Sequence, residues 1–213
     1  MAERAQLRAA ERHLGRVDPV LRAVIEACGP CTLDADRCRR PFPALVQTII
    51  GQQISTAAAR SIHRRFLRLY GGKAPSARAV LASTEQELRI VGLSRQKIRT
   101  LRDLAERVRA RKIGLAALQR LGDDEVIVRL TGVKGIGEWT AQVFMIFRLG
   151  RLDLLPVNDL GLLDGARVLY GLPQRPSARE LTDLAEPWRP YRSVGCWYLW
   201  QGRRRWQGDP ERK

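Results

Sequence analysis

A glycine hairpin between two helical runs is the feature that most constrains this chain. Gly135 and Gly137 stand one residue apart, after a helical run over 124–130 and before another over 138–149. Glycines at this spacing let the backbone turn sharply and approach another backbone closely. The turn also leads into the amino end of a helix, whose unpaired N–H groups favour a phosphate. Because Asp159 follows after a loop, the segment joins an anion-binding turn to a carboxylate.

Helical periodicity dominates the remaining sequence, and no strand-like alternation is sustained. Helix starts are marked by side chains that cap the first turn, and two of them read as capping boxes. This pattern predicts an all-α fold. The predicted caps are Asp18 (with Pro19 at the first helical position), Ser55, Ser94, Asp123 or Asp124, and Ser193; helices also start at Ser76 and at the capping boxes of Thr84 and Ser177.

The charge points to a polyanionic partner. The 213 residues contain 38 Lys+Arg against 22 Asp+Glu, which gives a formal net charge of +16. Such an excess favours nucleic acid. Arginine far outnumbers lysine, and arginine binds phosphate bidentately. An arginine-rich codon usage would explain that ratio equally well, but it does not explain the net charge.

Nothing in the sequence suggests a membrane or secretory route. No apolar run reaches the roughly 18 residues of a membrane span, and residues 1–12 are charged throughout, unlike a signal peptide. We therefore expect no membrane partner and a cytoplasmic, nucleoid-associated location.

Cys28, Cys31 and Cys38 leave three interpretations open. The first two have the spacing of a redox pair, but a helical pattern precedes them and a polar loop follows, instead of a βαβ context. A zinc site lacks a fourth ligand, because Cys196 is remote and the only histidines are His13 and His63. Ordinary reduced thiols are the favoured interpretation.

Several ordered segments resemble the helix-hairpin-helix DNA glycosylase superfamily, and most closely its 3-methyladenine DNA glycosylase II (alkylpurine) branch. A lone Gly-x-Gly turn is weak evidence, whereas the whole set in order from about residue 42 to 201 is specific. The segments are Phe42-Pro43-Ala44-Leu45 through Gly51-Gln52-Gln53-Ile54-Ser55, Gly92 to Lys97, Gly135 to Ala141, Leu155 to Asp159, and Pro190 to Ser193 with Trp197, Tyr198 and Trp200.

The resemblance implies an all-α, two-lobed fold with a cleft between the lobes. Lobe A is expected at about 40–132 as a helical bundle. Lobe B is expected at about 1–39 plus 133–213 and carries Asp159. The resemblance also implies a monomer that acts on double-stranded DNA with a damaged base.

Asp159 is implied to be the catalytic carboxylate. Cleavage of a purine N-glycosidic bond builds positive charge on the deoxyribose, and a fixed carboxylate stabilises that charge and can orient a water. The alternative is that Asp159 only caps the helix that follows it, as an aspartate in this place often does. The surrounding motifs favour catalysis.

Trp139 indicates the reaction subtype. Lyase-competent members of the superfamily carry a lysine at this position, and without an amine no Schiff base can form. We therefore expect a monofunctional glycosylase that requires no cofactor. Iron–sulfur members carry four C-terminal cysteines, and this chain has only Cys196 in that region, so no cluster is expected.

The resemblance also assigns the groups that meet the base. Gln53 aligns with the residue that fills the hole left by a flipped nucleotide; the alternative is a surface glutamine that caps a helix. Trp139 and Trp200 align with aromatic pocket residues, which attract a cationic alkylated purine; the alternative is that they belong to the core, which we prefer for Trp197 and Tyr198. The family's pocket tyrosine falls at Val143, and Phe144 is a partial substitute.

At the hairpin, the resemblance implies a monovalent cation held by the backbone carbonyls of Thr131, Val133 and Ile136. The N–H groups of the two hairpin glycines would then meet a phosphate, and nearby side chains would add affinity without sequence choice. The DNA-contacting set is Gln53, Lys134, Gly135, Gly137 and Thr140.

The sequence thus predicts a base-excision-repair glycosylase that removes alkylated purines of the 3-methyladenine and 7-methylguanine type. Deaminated or ring-bridged adenine stays open as a substrate. The alternative function is a non-catalytic helix-hairpin-helix protein that uses the hairpin only as a DNA anchor.

Overall fold

The computed structural model describes residues 2–33 and 40–206, and every regular element within these ranges is helical. None of the helices in this described part is long and apolar enough to cross a membrane. The α-helices are α1 Ala2–Val17, α2 Pro19–Cys28, α3 Pro41–Gly51, α4 Thr56–Leu69, α5 Ala77–Ala82, α6 Glu85–Ile90, α7 Arg95–Arg109, α8 Asp123–Thr131, α9 Glu138–Phe144, α10 Leu160–Leu169, α11 Ala178–Ala185 and α12 Arg192–Trp206. Short 3-10 helices form at Leu115–Arg120 and Glu186–Trp188, and a π-helix at Met145–Leu149.

The helices pack into two compact units. Unit 1 comprises residues 1–36 and 145–213, and unit 2 comprises residues 37–144. The predicted lobes divided the chain at 132/133 instead. The glycine hairpin and α9 therefore pack with unit 2, whereas the sequence placed them with the lobe that carries Asp159.

Most helix starts follow the local chemistry that the sequence predicted. The side chains of Asp18, Ser55, Ser76 and Ser94 each accept a hydrogen bond from the first turn of the next helix. Both predicted capping boxes form, at Thr84 with Glu87 and at Ser177 with Glu180. These contacts satisfy N–H groups that have no partner inside the helix, which fixes where each helix begins.

Two predicted starts and one predicted helix are wrong. Gly122, not Asp123 or Asp124, precedes α8, and no side chain caps it. Helix α12 begins at Arg192, so Ser193 lies inside the helix. The single run expected over 138–149 is an α-helix that changes to a π-helix at Met145. A π segment inside a helical run rotates the side chains that follow it, and periodicity gives no sign of it.

A buried aspartate organises the core of unit 1. Asp18 is 7% exposed, and besides the α2 N–H of Leu21 it accepts hydrogen bonds from the indole of Trp188 (2.8 Å) and the hydroxyl of Tyr170 (2.5 Å). A buried carboxylate is tolerated when its oxygens are satisfied in this way. The acceptor raises the pKa of the Tyr170 hydroxyl, as does burial, which is the larger cause.

Helices α10 and α12 approach closely in the same unit. A Cβ on Gly165 would come within 2.7 Å of the Leu199 carbonyl oxygen, so only glycine fits there. This close approach places the first turn of α10 beside the middle of α12, where Trp200 lies.

Candidate active site

Asp159 forms the amino-terminal cap of α10. Its Oδ1 accepts hydrogen bonds from the backbone N–H of Leu162 (2.7 Å) and from the indole Nε1 of Trp200 (3.0 Å). The residue is only 8% exposed. The capping role that the sequence offered as an alternative is therefore real, but it accompanies a second, tertiary contact to α12 that a simple cap does not need.

Because Gly161 has no side chain, the Asp159 carboxylate can lie against the first turn of α10. A Cβ added at this glycine would lie 2.9 Å from Asp159 Oδ1 and 3.2 Å from Trp200 Cδ1. The carboxylate and the indole therefore cover the bare face of the first turn of α10. The sequence did not single out Gly161, although a glycine in the first turn of a helix carries a cost that calls for an explanation.

A second aromatic ring supports Trp200. Phe147, in the π-helix, stacks on Trp200 with ring centroids 5.4 Å apart and an interplanar angle of 29°. Both rings are partly exposed. Phe144, predicted to line the pocket, is completely buried and presents no surface to a base in this structure. Phe144 lies at the end of α9 and Phe147 lies in the π-helix, so the change in helix geometry falls between the two phenylalanines.

The loop before Asp159 is tied to the start of α12. The Arg192 guanidinium pairs with the Asp153 carboxylate (2.8 Å from Nε to Oδ1) and donates from Nη2 to the Asp153 carbonyl (2.8 Å). Ser193 Oγ accepts from the Leu154 N–H at 2.9 Å. Ser193 therefore holds this loop instead of capping α12 as predicted. One helix thus fixes both the loop and the carboxylate that follows it.

Gly135 has the geometry that the hairpin motif requires. Its φ is +86°, and a Cβ there would lie 2.1 Å from the hydroxyl oxygen of Thr100. Thr100 lies in α7 and is buried. The hairpin thus rests directly against α7, and no other residue fits at position 135.

The predicted DNA-contacting residues of unit 2 divide by exposure. Gly137 and Lys134 are exposed, and the Lys134 N–H donates to Asp103 at 2.8 Å. Gln53 is exposed and adopts a φ of +55°, which is unusual for a residue with a Cβ. Thr140 is 3% exposed, and its hydroxyl accepts from Gln52 Nε2, so it supports the hairpin from within and does not present its side chain to a ligand.

Trp139 and the predicted cation carbonyls also lie in unit 2. Trp139 is 37% exposed, as a residue that meets a ligand must be. Val133 O accepts the Ile136 N–H at 3.0 Å, which closes the hairpin turn. No group of three or more His, Cys, Asp or Glu side chains suited to a metal ion occurs within residues 2–33 and 40–206.

Burial disfavours the thiolate form of Cys28 and Cys31. Burial raises the pKa of Cys31 to about 12, and it also raises the pKa of Cys28. A redox pair needs the opposite, a lowered pKa that populates the thiolate. Cys38 lies outside the described residues.

These features define a class of protein. An all-helical chain presents a Gly-x-Gly hairpin on one unit, and on the other a nearly buried carboxylate braced by an indole at a helix start. The combination is that of a helix-hairpin-helix protein with a carboxylate site.

Comparison with known proteins identifies the family. The model of the HhH-GPD superfamily base excision DNA repair proteins matches residues 46–190. The chain is 29% identical over 204 residues to the alkylbase DNA glycosidase-like protein mag2 of Schizosaccharomyces pombe, covering 94% of this chain and 96% of that protein. It is 31% identical over 195 residues to DNA-3-methyladenine glycosylase 1 of the same organism, covering 90% and 86%.

Solved structures agree with the sequence comparison. The S. pombe 3-methyladenine DNA glycosylase Mag1, in complex with abasic DNA, superposes with a TM-score of 0.81 at 30% identity, covering 91% of this chain and 95% of that one. A DNA-3-methyladenine glycosidase from Bacillus halodurans gives 0.75 at 36% identity, covering 90% and 87%. The chain belongs to the HhH-GPD superfamily of base excision DNA repair proteins.

Proposed function

We propose that the protein is a monofunctional DNA glycosylase that hydrolyses the N-glycosidic bond of alkylated purines in duplex DNA. The observation that carries the proposal is the Asp159 carboxylate, nearly buried and held by the Trp200 indole and the Leu162 N–H. The names of its relatives, 3-methyladenine and alkylbase glycosylases, support alkylated purines as the substrate class.

The chemistry follows from where charge develops. As the glycosidic bond breaks, the deoxyribose approaches an oxocarbenium ion, and a fixed carboxylate stabilises that cation without having to reorganise. The Leu162 N–H and the Trp200 indole bind the same oxygen of Asp159, Oδ1, so they fix the orientation of the carboxylate plane. Water attacks C1′ of the deoxyribose and releases a proton to solvent, and the cationic base takes the bonding electron pair and leaves as a neutral alkylated purine.

Aromatic groups suit a cationic base. Alkylation at N3 or N7 gives the purine a positive charge, and the face of an indole attracts a cation more strongly than it attracts a neutral ring. Trp139 and Trp200 are both partly exposed and can present such a face. The positive charge also makes the base a better leaving group, so its departure needs less assistance than that of a neutral purine.

Trp139 supports hydrolysis without a lyase step. An indole cannot form a Schiff base, so no covalent intermediate with the abasic sugar is expected at this position. Borohydride reduction during turnover should trap no protein–DNA complex, and the abasic product should stay uncut until it is heated in alkali.

DNA backbone binding rests on charge and on the hairpin. The net charge of +16 favours a polyanion, and the exposed Gly135, Gly137 and Lys134 lie together at the hairpin. We expect the protein to bind as a monomer, with affinity that falls steeply with salt concentration.

A monovalent cation at the hairpin is part of the proposal. The carbonyls of Thr131, Val133 and Ile136 would hold it, and Val133 O fits because a carbonyl that accepts one N–H keeps a second lone pair. If the cation contributes, binding of duplex DNA should weaken when K⁺ is replaced by tetramethylammonium at equal ionic strength.

A panel of duplexes that each carry one lesion tests the function. Each is incubated with the protein, heated in alkali and resolved for strand cleavage. Duplexes with 7-methylguanine or 3-methyladenine should be cleaved, and an undamaged duplex should not. Binding to all of the duplexes without cleavage of any would favour the non-catalytic DNA-binding alternative.

A further inference from the structure

We propose that Gln52 is a positioning residue that locks the end of α3, and with it Gln53, to the glycine hairpin, so that base extrusion and backbone binding act as one rigid unit. This inference rests on the proposed glycosylase function. It assigns a role to Gln52 through its contacts within the protein.

The first observation is the pair of hydrogen bonds made by one amide group. Gln52 Nε2 donates to the Gly135 carbonyl oxygen (3.0 Å) and to the Thr140 hydroxyl (3.0 Å). Gly135 lies in the hairpin and Thr140 in the first turn of α9. A single side chain, more than 80 residues away in sequence, therefore holds both sides of the turn.

The second observation is the backbone of the next residue. Gln53 has a φ of +55° and is exposed, and it is one of two non-glycine residues with positive φ in the described chain. Such a conformation costs energy and persists only where the surrounding structure enforces it. Gln52 supplies that enforcement on one side of Gln53, because its own side chain is held at the hairpin.

Helix α7 supports the same arrangement from behind. Lys97 Nζ donates to the Ile50 carbonyl oxygen at 2.8 Å, in the last turn of α3. One turn later in α7, Thr100 packs against Gly135 so closely that a Cβ could not be added. The end of α3 and the hairpin are thus each fixed to α7 and are joined to each other through Gln52.

The consequence concerns the energy of extruding a base. A residue that replaces a flipped nucleotide in the stack is effective only if it keeps its position while the flipped base tends to return to the duplex. If the hairpin binds the phosphate backbone, the two hydrogen bonds of the Gln52 amide fix the position of Gln53 relative to that backbone. Loss of the amide would let Gln53 move out of the stack. The free energy of unstacking would then be added to the reaction barrier, and base release would slow.

The test compares duplex with single-stranded substrate. Single-turnover release of 7-methylguanine is measured for wild-type protein, Gln52→Ala and Gln52→Glu, from a duplex and from the same strand alone. A single strand needs little extrusion. We expect the duplex rate to fall roughly tenfold, as for loss of two neutral hydrogen bonds, while the single-strand rate stays within about twofold. The Glu variant keeps the size of the side chain but cannot donate, and it should behave like Gln52→Ala.

Two further variants separate positioning from a general effect on structure. Gln53→Ala should also slow only the duplex reaction, and adding Gln52→Ala to it should have no further effect, because Gln52 acts through Gln53. Gln142→Ala is the matched control. Its amide donates to Glu138 at 3.0 Å within α9 and joins no second element, so both rates should stay at wild-type values.

The outcomes distinguish this inference from the function on which it rests. Wild-type protein that releases no base from any substrate would overturn both. An active wild type with an unchanged duplex rate in Gln52→Ala, an equal loss on duplex and single strand, or additive effects of the Gln52 and Gln53 substitutions would overturn the positioning role alone.

Discussion

Gly161→Ala places one methyl group against the Asp159 carboxylate. The added Cβ would lie 2.9 Å from Asp159 Oδ1, closer than such atoms come in folded proteins, and 3.2 Å from the Trp200 ring, which is a tight contact. The backbone of α10 is fixed by its packing on α12, so the carboxylate must move. Once displaced, Oδ1 cannot keep both the 2.7 Å bond to the Leu162 N–H and the 3.0 Å bond to the indole.

The size of the effect can be worked from that geometry. A hydrogen bond to a charged group contributes about 1.5–3 kcal/mol. If its loss appears in the barrier, the rate falls about 10- to 150-fold, at about 1.4 kcal/mol per factor of ten. The fold changes little in the same variant, because alanine is favoured over glycine in a helix by up to about 1 kcal/mol and this offsets part of a weakened cap.

The assay is single-turnover release of 7-methylguanine, measured beside thermal unfolding. Gly15→Ala is the matched control, since Gly15 lies in α1 of the same unit and its nearest atoms are 3.8 Å away. Gly15→Ala should keep full activity. A wild-type rate in Gly161→Ala, or a loss that merely follows a loss of stability, would refute the claim that Gly161 makes room for the carboxylate.

Four further predictions address other parts of the site and fold. Trp200→Phe keeps a ring for Phe147 but removes the indole donor, so base release should slow about 10-fold or more with duplex binding unchanged; an unaffected rate would show that the donor has no role. Lys134→Ala should lower the slope of log Kd against log salt concentration by about 1, and an unchanged slope would place Lys134 away from phosphate. Cys31, with a pKa of about 12, should react with iodoacetamide at pH 8 roughly a thousandfold more slowly than an ordinary thiol; fast modification would revive the redox interpretation. The Arg175 guanidinium lowers the pKa of Asp164, so the pair stabilises the fold above the ordinary carboxyl pKa and loses this effect as pH falls through the lowered value. In a plot of unfolding free energy against pH, Asp164→Asn should therefore weaken the loss of stability at acid pH. An unchanged loss at acid pH would contradict this account.

Much of the fold could be read from the sequence because its signals are local. Helix starts depend on a side chain and an N–H three residues away, and Ser94 or Thr84 is sufficient to mark one. The hairpin is equally local, since two glycines determine its backbone. The predicted division at 132/133 differs from the observed one at 144/145. The division depends on which distant helices residues 133–144 pack against, and the local sequence does not determine that packing.

In the candidate site too, local motifs could be predicted and distant contacts could not. Asp159 was predicted as the catalytic carboxylate from the order of the motifs. Its second hydrogen bond comes from Trp200, 41 residues later, and only the packing of α10 on α12 shows that contact. The stacking of Phe147 on Trp200 was not predicted, because Phe147 lies in a π-helix that sequence periodicity does not reveal. No role was predicted for Gln52, because the contacts on which its proposed positioning role rests are made with residues more than 80 positions away.

Substitution of Asp159 by asparagine tests the central claim most directly. Asparagine retains an oxygen for the Leu162 N–H and the Trp200 indole, so the fold should survive while the negative charge is lost. Single-turnover base release should fall by a factor of about 100–1,000, by comparison with removal of one preorganised electrostatic group in other enzymes. Binding to an abasic-analogue duplex should persist, and Asp164→Asn on the same helix should stay active. Base release by Asp159→Asn at a rate near that of the wild type would contradict the assignment of Asp159 as the catalytic carboxylate.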